Sequence, residues 1–180
     1  YFRRGDAVFM GVTPEKLLQI QDKSVKTEAI AGSIKRNGVY NEQQMEEVLT
    51  TSEKDLDEHI QVREFLVDNL TPFTTGITFD AKPSVRKLRN LFHLMTGITG
   101  KLKNPGLDTT IRLAAGLFPT PAVCGTPKEK AYELIGKLEE HPRGLYSGVI
   151  GFLSLNGDCQ LAVSIRSVLL RGSVYAAYAG

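Results

Sequence analysis

Hydrophobic and polar positions alternate in short blocks at the start of the chain, lengthen to helical spacing in the middle and alternate again near the end. Ala7 to Val12 reads as a strand closed by a Thr13-Pro14-Glu15 turn, with a short apolar run from Leu17 to Ile20 behind it. Val25 to Ile30 is a second strand that ends at Ala31-Gly32-Ser33. Asn41 to Leu70 contains neither Gly nor Pro and reads as mostly helical. Gly76 to Phe79 suits a short strand, and Arg89 to Leu102 an extended segment whose first residues also suit a helix. Leu107 to Leu117 predicts a helix. Gly144 to Leu155, a turn at Asn156-Gly157-Asp158, and Cys159 to Leu170 read as one long hairpin, to which Val174 to Ala179 adds a third strand. Strands lying beside one another and broken by long helices predict an α+β fold, with helices packed on largely antiparallel sheets.

The segment from Pro119 to Lys128 is the stiffest in the chain. Its prolines hold φ near −65° and press the preceding residues toward extended geometry. Thr126 reads as an N-cap, Pro127 as the first helical residue and Glu129 as the partner that completes a capping box, so a helix is expected from Lys128 to about Glu140. Its free amides face whatever sits over Ala122 to Thr126. Such a corner serves either as a tight loop-to-helix joint or as one wall of an anion site.

Composition then narrows the class. The chain has 180 residues, 42% hydrophobic and 23% charged, enough for one globular domain with a real core. A net charge of +2 argues against nucleic acid and anionic membranes as partners. The apolar runs are too short to span a bilayer, and no signal-peptide pattern opens the chain. Cys124 and Cys159 lack metal-ligand spacing, which points to a reducing, cytoplasmic setting, although a bridge between them stays open. The chain starts at Tyr1 and stops at Tyr178-Ala179-Gly180, directly after an apolar strand. The expectation is a single partial domain over residues 1–180, truncated at both ends.

Some polar residues fall where a core face belongs. In the last strand Leu161, Val163 and Ile165 share one face, and Ala162, Ser164 and Arg166 share the other. An arginine flanked by small side chains can grip a carboxylate in a bidentate pair, or simply face water. In the long helical stretch Leu56, Ile60 and Val67 form an apolar stripe, while Glu58 lines up with Val62 and Phe65. Glu58 is therefore either an ordinary surface carboxylate or an inward one that needs a cation such as Mg²⁺. His93 is either a satisfied core histidine or a donor to a site.

Taken in order, the motifs carry more than any one alone. Gly11-Val12-Thr13-Pro14-Glu15-Lys16-Leu17-Leu18, Ile30-Ala31-Gly32-Ser33, Ser52 to His59, Phe92-His93-Leu94, the Pro119 to Lys128 segment, Arg143 to Gly151, Ser164-Ile165-Arg166 and Tyr178-Ala179-Gly180 together resemble the chorismate-binding enzyme family. That family includes anthranilate, aminodeoxychorismate, isochorismate and salicylate synthases, and the resemblance runs from about Phe9 to Gly180.

The resemblance implies a partial chorismate-binding fold, anthranilate synthase component I-like, and a set of roles. Glu15 matches the general acid that protonates the departing hydroxyl of chorismate, and Glu58 a ligand of the Mg²⁺ cofactor. Gly32, Ser33, His93, Ala122, Tyr146, Arg166 and Gly180 match substrate contacts. Ala122 stands where aminating members look to carry threonine, so the branch implied is isochorismate synthase. Its small side chain leaves room for an attacking water. Tyr146 and Tyr178 look more like the menaquinone-pathway members than the siderophore-pathway ones. A salicylate synthase, a siderophore-pathway isochorismate synthase and a chorismate-binding remnant without catalysis are the alternatives. The family's base lysine, second metal glutamate and substrate lysine have no match here, so the chain alone is expected to be inactive.

Overall fold

The computed structural model describes residues 1–36 and 38–178. Four strands come first: β1 (Phe2–Arg4), β2 (Ala7–Gly11), β3 (Lys16–Gln21) and β4 (Ser24–Lys35). Helices α1 (Glu42–Thr51) and α2 (Glu53–Leu70) follow, then β5 (Thr74–Phe79), β6 (Ser84–Lys87) and β7 (Leu91–Leu102). Three helices, α3 (Leu107–Leu117), α4 (Pro121–Cys124) and α5 (Lys128–Leu138), lead to β8 (Val149–Leu153), β9 (Cys159–Val163), β10 (Ser167–Arg171) and β11 (Val174–Tyr178). The strands form a 7-stranded sheet, ordered β5-β7-β4-β3-β9-β8 with β6 on β7, and a 4-stranded sheet, ordered β1-β2-β10-β11. Every pairing is antiparallel. This is the α+β architecture that the alternating blocks predict.

The core lies between the large sheet and its helices. In β7 Phe92, Leu94, Thr96, Ile98 and Leu102 alternate inward, and Val25, Thr27, Ala29 and Ala31 do so in β4. They meet His59, Val62, Leu66 and Leu70 on α2 and Leu113 and Leu117 on α3. Each fully buried leucine contributes roughly 1.5–3 kcal/mol. The buried stripe of α2 is thus rotated from the expected one: Leu56, Ile60 and Val67 are only partly buried, and His59 belongs to the core. The single helical run also divides at Ser52, which closes α1 and caps α2 by accepting from the Asp55 amide. Asn41 and Gln44 form a capping box at the start of α1.

A bulge in β4 sets the face of every residue beyond it. Ala31 pairs with Leu94 and Ser33 with His93, leaving Gly32 as the extra residue. The inserted residue reverses the alternation, so Ser33 turns to the face opposite the helices and Ile34 turns in to pack with Met45, Leu49 and Phe92. Gly32 has φ +78°, and a Cβ there would lie 3.0 Å from the Asp55 Cβ and 3.1 Å from Leu94 Cδ1.

Several expectations are corrected. β4 runs on through Ala31-Gly32-Ser33 to Lys35, because the bulge absorbs the glycine instead of ending the strand. The long last strand is two: β9 stops at Val163 in the large sheet and β10 starts at Ser167 in the small one, with Arg166 at φ +50° between them. The helix after the proline segment starts at Lys128, with Pro127 as an extended N-cap (ψ 144°) and no side-chain cap, so the Thr126–Glu129 capping box does not form. The Pro-at-N1 signature belongs one motif earlier, to Thr120-Pro121, which opens the short α4. β1 and β6 were not expected, since three or four polar-rich residues carry too little alternation.

Two chain passages join the sheets: residues 12–15 between β2 and β3, and 164–166 between β9 and β10. They run side by side, with the Val12 amide donating to the Arg166 carbonyl (3.2 Å) and the Val163 amide to that of Glu15 (3.1 Å). A Cβ on Gly11 would lie 2.9 Å from the Arg166 carbonyl oxygen.

Gly32→Ala is expected to lower unfolding free energy by about 2–4 kcal/mol, from left-handed backbone strain plus overpacking. Gly97→Ala is the control, because nothing lies within 4 Å of a Cβ there. Denaturant titration of both variants tests this, and equal losses would show that the bulge tolerates a side chain.

Candidate functional site

At the seam between the sheets lies a cavity of about 460 Å³. β4, β6 and β7 form its floor, α4 one wall, and the two passages another. The bulge makes one transverse row across three strands, Arg86 on β6, His93 on β7 and Ser33 on β4. His93 Nδ1 is 2.7 Å from the Ser33 hydroxyl. Burial, then the Arg166 guanidinium, hold the His93 imidazole below its ordinary pKa and so in its neutral form. Gly32, Ser33 and His93 all line the cavity.

Glu15 enters from the first passage. It sits among Pro14, Ile30 and Ile165 on the cavity lining, and burial raises its carboxyl above the ordinary range. A hydrogen bond from the Thr120 hydroxyl to Oε1 (3.3 Å) opposes that shift without cancelling it. The N-cap threonine of α4 therefore serves the carboxyl and makes no cap to its own helix. A carboxyl shifted this way keeps its proton to higher pH than an exposed one and can donate it into the cavity.

Arg166 enters from the second passage, its left-handed backbone aiming it off the line of β9. Among the described residues no carboxylate pairs with it, whereas the other two cavity guanidiniums are engaged: Arg86 with Glu28 (2.9 Å) and Arg143 with Glu139. Ile165 and Arg166 both line the cavity, so the simple two-face alternation expected of Leu161 to Arg166 ends at Val163. Tyr146 lines it too and stacks on Tyr178, with ring centroids 5.1 Å apart and planes 12° apart. Ala122 and Val123 of α4 form the small-residue wall. None of residues 124–142 reaches the cavity, so the wall is α4 and not the N-terminus of α5.

Glu58 lines the same cavity from α2 and is exposed, the surface alternative of the two its position allows, while the helix turns His59 into the core. His59 is held by Thr96 Oγ1 on Nε2 (2.8 Å) and the Ala31 carbonyl on Nδ1 (3.3 Å). Burial keeps it neutral. Among the described residues no cluster of three His, Cys, Asp or Glu side chains suits a metal ion. One exposed carboxylate does not make a Mg²⁺ site by itself. Gly180 lies outside the described residues.

The cavity thus gathers Glu15, Gly32, Ser33, Glu58, His93, Ala122, Tyr146 and Arg166. Sequence reasoning missed Arg86 and Arg143. Arg86 sits on the unforeseen β6, and Arg143 carried a signal only as the first residue of the Arg143-Gly144-Leu145-Tyr146 motif. A carboxyl raised in pKa by burial, neutral hydrogen-bonding groups and a guanidinium with no carboxylate partner among the described residues together fit a small anionic compound.

The comparisons agree. A family model described as chorismate binding enzyme matches residues 1–180, and the chain belongs to that family. It is 36% identical over 172 residues to isochorismate synthase DhbC of Bacillus subtilis, covering 95% of this chain and 43% of that protein. It is 31% identical to anthranilate synthase component 1 of Methanothermobacter thermautotrophicus, covering 96% of this chain and 38% of that one. The solved structure of MenF, the menaquinone-specific isochorismate synthase from Escherichia coli, superposes with a TM-score of 0.85 at 32% identity, covering 97% of this chain and 40% of that one. The chain spans less than half the length of these relatives. Among the described residues no helix is long and apolar enough to cross a membrane.

The Glu15 carboxyl yields a pH prediction. Its folded-state pKa lies above the unfolded value near 4.5, so its stabilising share is full below that value and is lost as pH rises through the folded one. Glu15→Gln removes the loss. The melting temperature of the variant relative to the parent is expected to climb as pH rises above about 4.5. A difference that stays flat over this range would mean the carboxyl is not held neutral by burial.

Proposed function

We propose that this chain forms the acid half of an isochorismate synthase site. Chorismate is the substrate, and the product arises by water addition at one ring carbon and loss of the hydroxyl from another. The observation that carries the reading is the Glu15 carboxyl, its pKa raised by burial, facing the same cavity as the small Ala122 and as Arg166, which has no carboxylate partner among the described residues. In this reading Glu15 gives its proton to the departing hydroxyl, which leaves as water. Arg166 and the Tyr146 hydroxyl hold the enolpyruvyl carboxylate, and neutral His93 and Ser33 donate near the ring. Ala122 leaves room for the water that attacks.

Bound Mg²⁺ would neutralise the ring carboxylate, and Glu58 is the one described residue placed to contribute a ligand. No lysine lines the cavity among the described residues, so the base for the water is assigned to a part of the site beyond this chain. We read residues 1–180 as a partial domain, of a cytoplasmic protein that serves menaquinone synthesis.

Chromatographic analysis of products from the intact protein with chorismate and Mg²⁺ tests the reading. Isochorismate is expected. Salicylate with pyruvate would move the assignment to a salicylate synthase, anthranilate on adding ammonium would move it to the aminating branch, and no binding by calorimetry would sink it. Glu15→Gln should lower kcat by about 10²-fold or more. The 180-residue chain by itself is expected to show no turnover, and measurable turnover would overturn the missing base.

A further inference from the structure

Arg143 makes contacts that neither the acid chemistry nor the carboxylate grip requires. Its Nε donates to both oxygens of Glu139 (3.1 and 2.9 Å), and Nη2 donates to Oε1 (2.6 Å). Nη1 donates to the Val123 carbonyl at 2.9 Å. The guanidinium carbon lies 6.0 Å from the centroid of the Tyr146 ring, and the Arg143 carbonyl accepts from the Tyr146 amide at 2.9 Å. Glu139 is the residue that ends α5. Val123 belongs to the last turn of α4, where the Gly125 amide takes the Pro121 carbonyl and the Val123 carbonyl is left to an outside donor. One planar fork therefore ties the end of α5, the wall that carries Ala122, and the ring of Tyr146.

We propose that Arg143 is a positioning residue that fixes the Ala122 wall relative to Tyr146. It does not grip substrate, because its Nε, Nη1 and Nη2 donors face protein acceptors while Arg166 is left unpaired among the described residues. A lysine at this position keeps the charge but cannot reach Glu139 and the Val123 carbonyl together. Loosening the wall leaves the carboxylate grip in place and displaces the space for the attacking nucleophile, and small misplacements of reacting groups cost rate steeply. This assignment rests on the reading of the cavity as a chorismate site.

The test uses Arg143→Lys and Glu139→Gln in the intact protein. Both variants are expected to lower kcat at least tenfold while KM, and the calorimetric Kd for chorismate, change less than about twofold. Amide hydrogen exchange at Val123 to Gly125 should quicken in both, a readout that needs no substrate. Full activity in Arg143→Lys would overturn the proposal, since charge alone would then suffice. A rise in KM at unchanged kcat would also overturn it, by placing Arg143 on the substrate. Exchange at Val123 to Gly125 unchanged in both variants would remove the clamp itself. If the unaltered protein neither binds nor converts chorismate, the functional reading fails instead, and the exchange result still decides whether the clamp exists.

Discussion

Two backbone hydrogen bonds hold the molecule together where it matters most. Val12 to Arg166 and Val163 to Glu15 lock the passages that carry the chain between the two sheets. Glu15 and Arg166 are themselves residues of those passages. Their separation is therefore a property of the sheet junction rather than of side-chain packing alone. Gly11 permits this closeness, because a side chain there would strike the Arg166 carbonyl. Sheets pack as rigid layers, so the backbones from which Glu15 and Arg166 project are held at such a junction.

The remaining walls are mounted with similar economy. Gly32 reverses the alternation of β4, so that Ser33 joins His93 in the cavity while Ile34 keeps the core closed behind them. Thr120 gives up the usual duty of an N-cap and contacts the buried carboxyl. His59, beneath the floor, satisfies both ring nitrogens against Thr96 and Ala31 and so ties α2 to the strands that carry the site. A polar group buried with both ends paired fixes orientation in a way that a leucine in its place does not.

Much of this could be read from the sequence, and the reasons for the rest are physical. β7 was legible as an extended segment but not at its start, where Leu91-Phe92-His93-Leu94-Met95 also suits a helix and only the fold shows Phe92 and Leu94 turned inward. α3 was legible from its length and its apolar spacing. The break at 164–166 left no mark, because Arg166 adopts a left-handed backbone without the glycine or asparagine that usually signals one. Pro119, Pro121 and Pro127 marked the turn correctly, yet Pro127 stays extended ahead of α5 and it is Pro121 that opens a helix, with no side-chain cap at either start to distinguish them. The site residues themselves emerged from the order of several motifs, since single residues such as Glu58 and His93 had equally good structural explanations. Arg143 stayed hidden because its partners, Glu139 and Val123, are brought together only by the fold.

The pairing of Tyr146 with Tyr178 has an optical consequence. The chain contains six tyrosines and no tryptophan, so its near-ultraviolet signals come from phenols and weaker phenyl bands alone. Two phenol rings stacked 5.1 Å apart couple their transitions, and one of them borders the cavity. The corner that would receive a ligand thus carries its own chromophore, placed by the fold where occupancy changes its surroundings first.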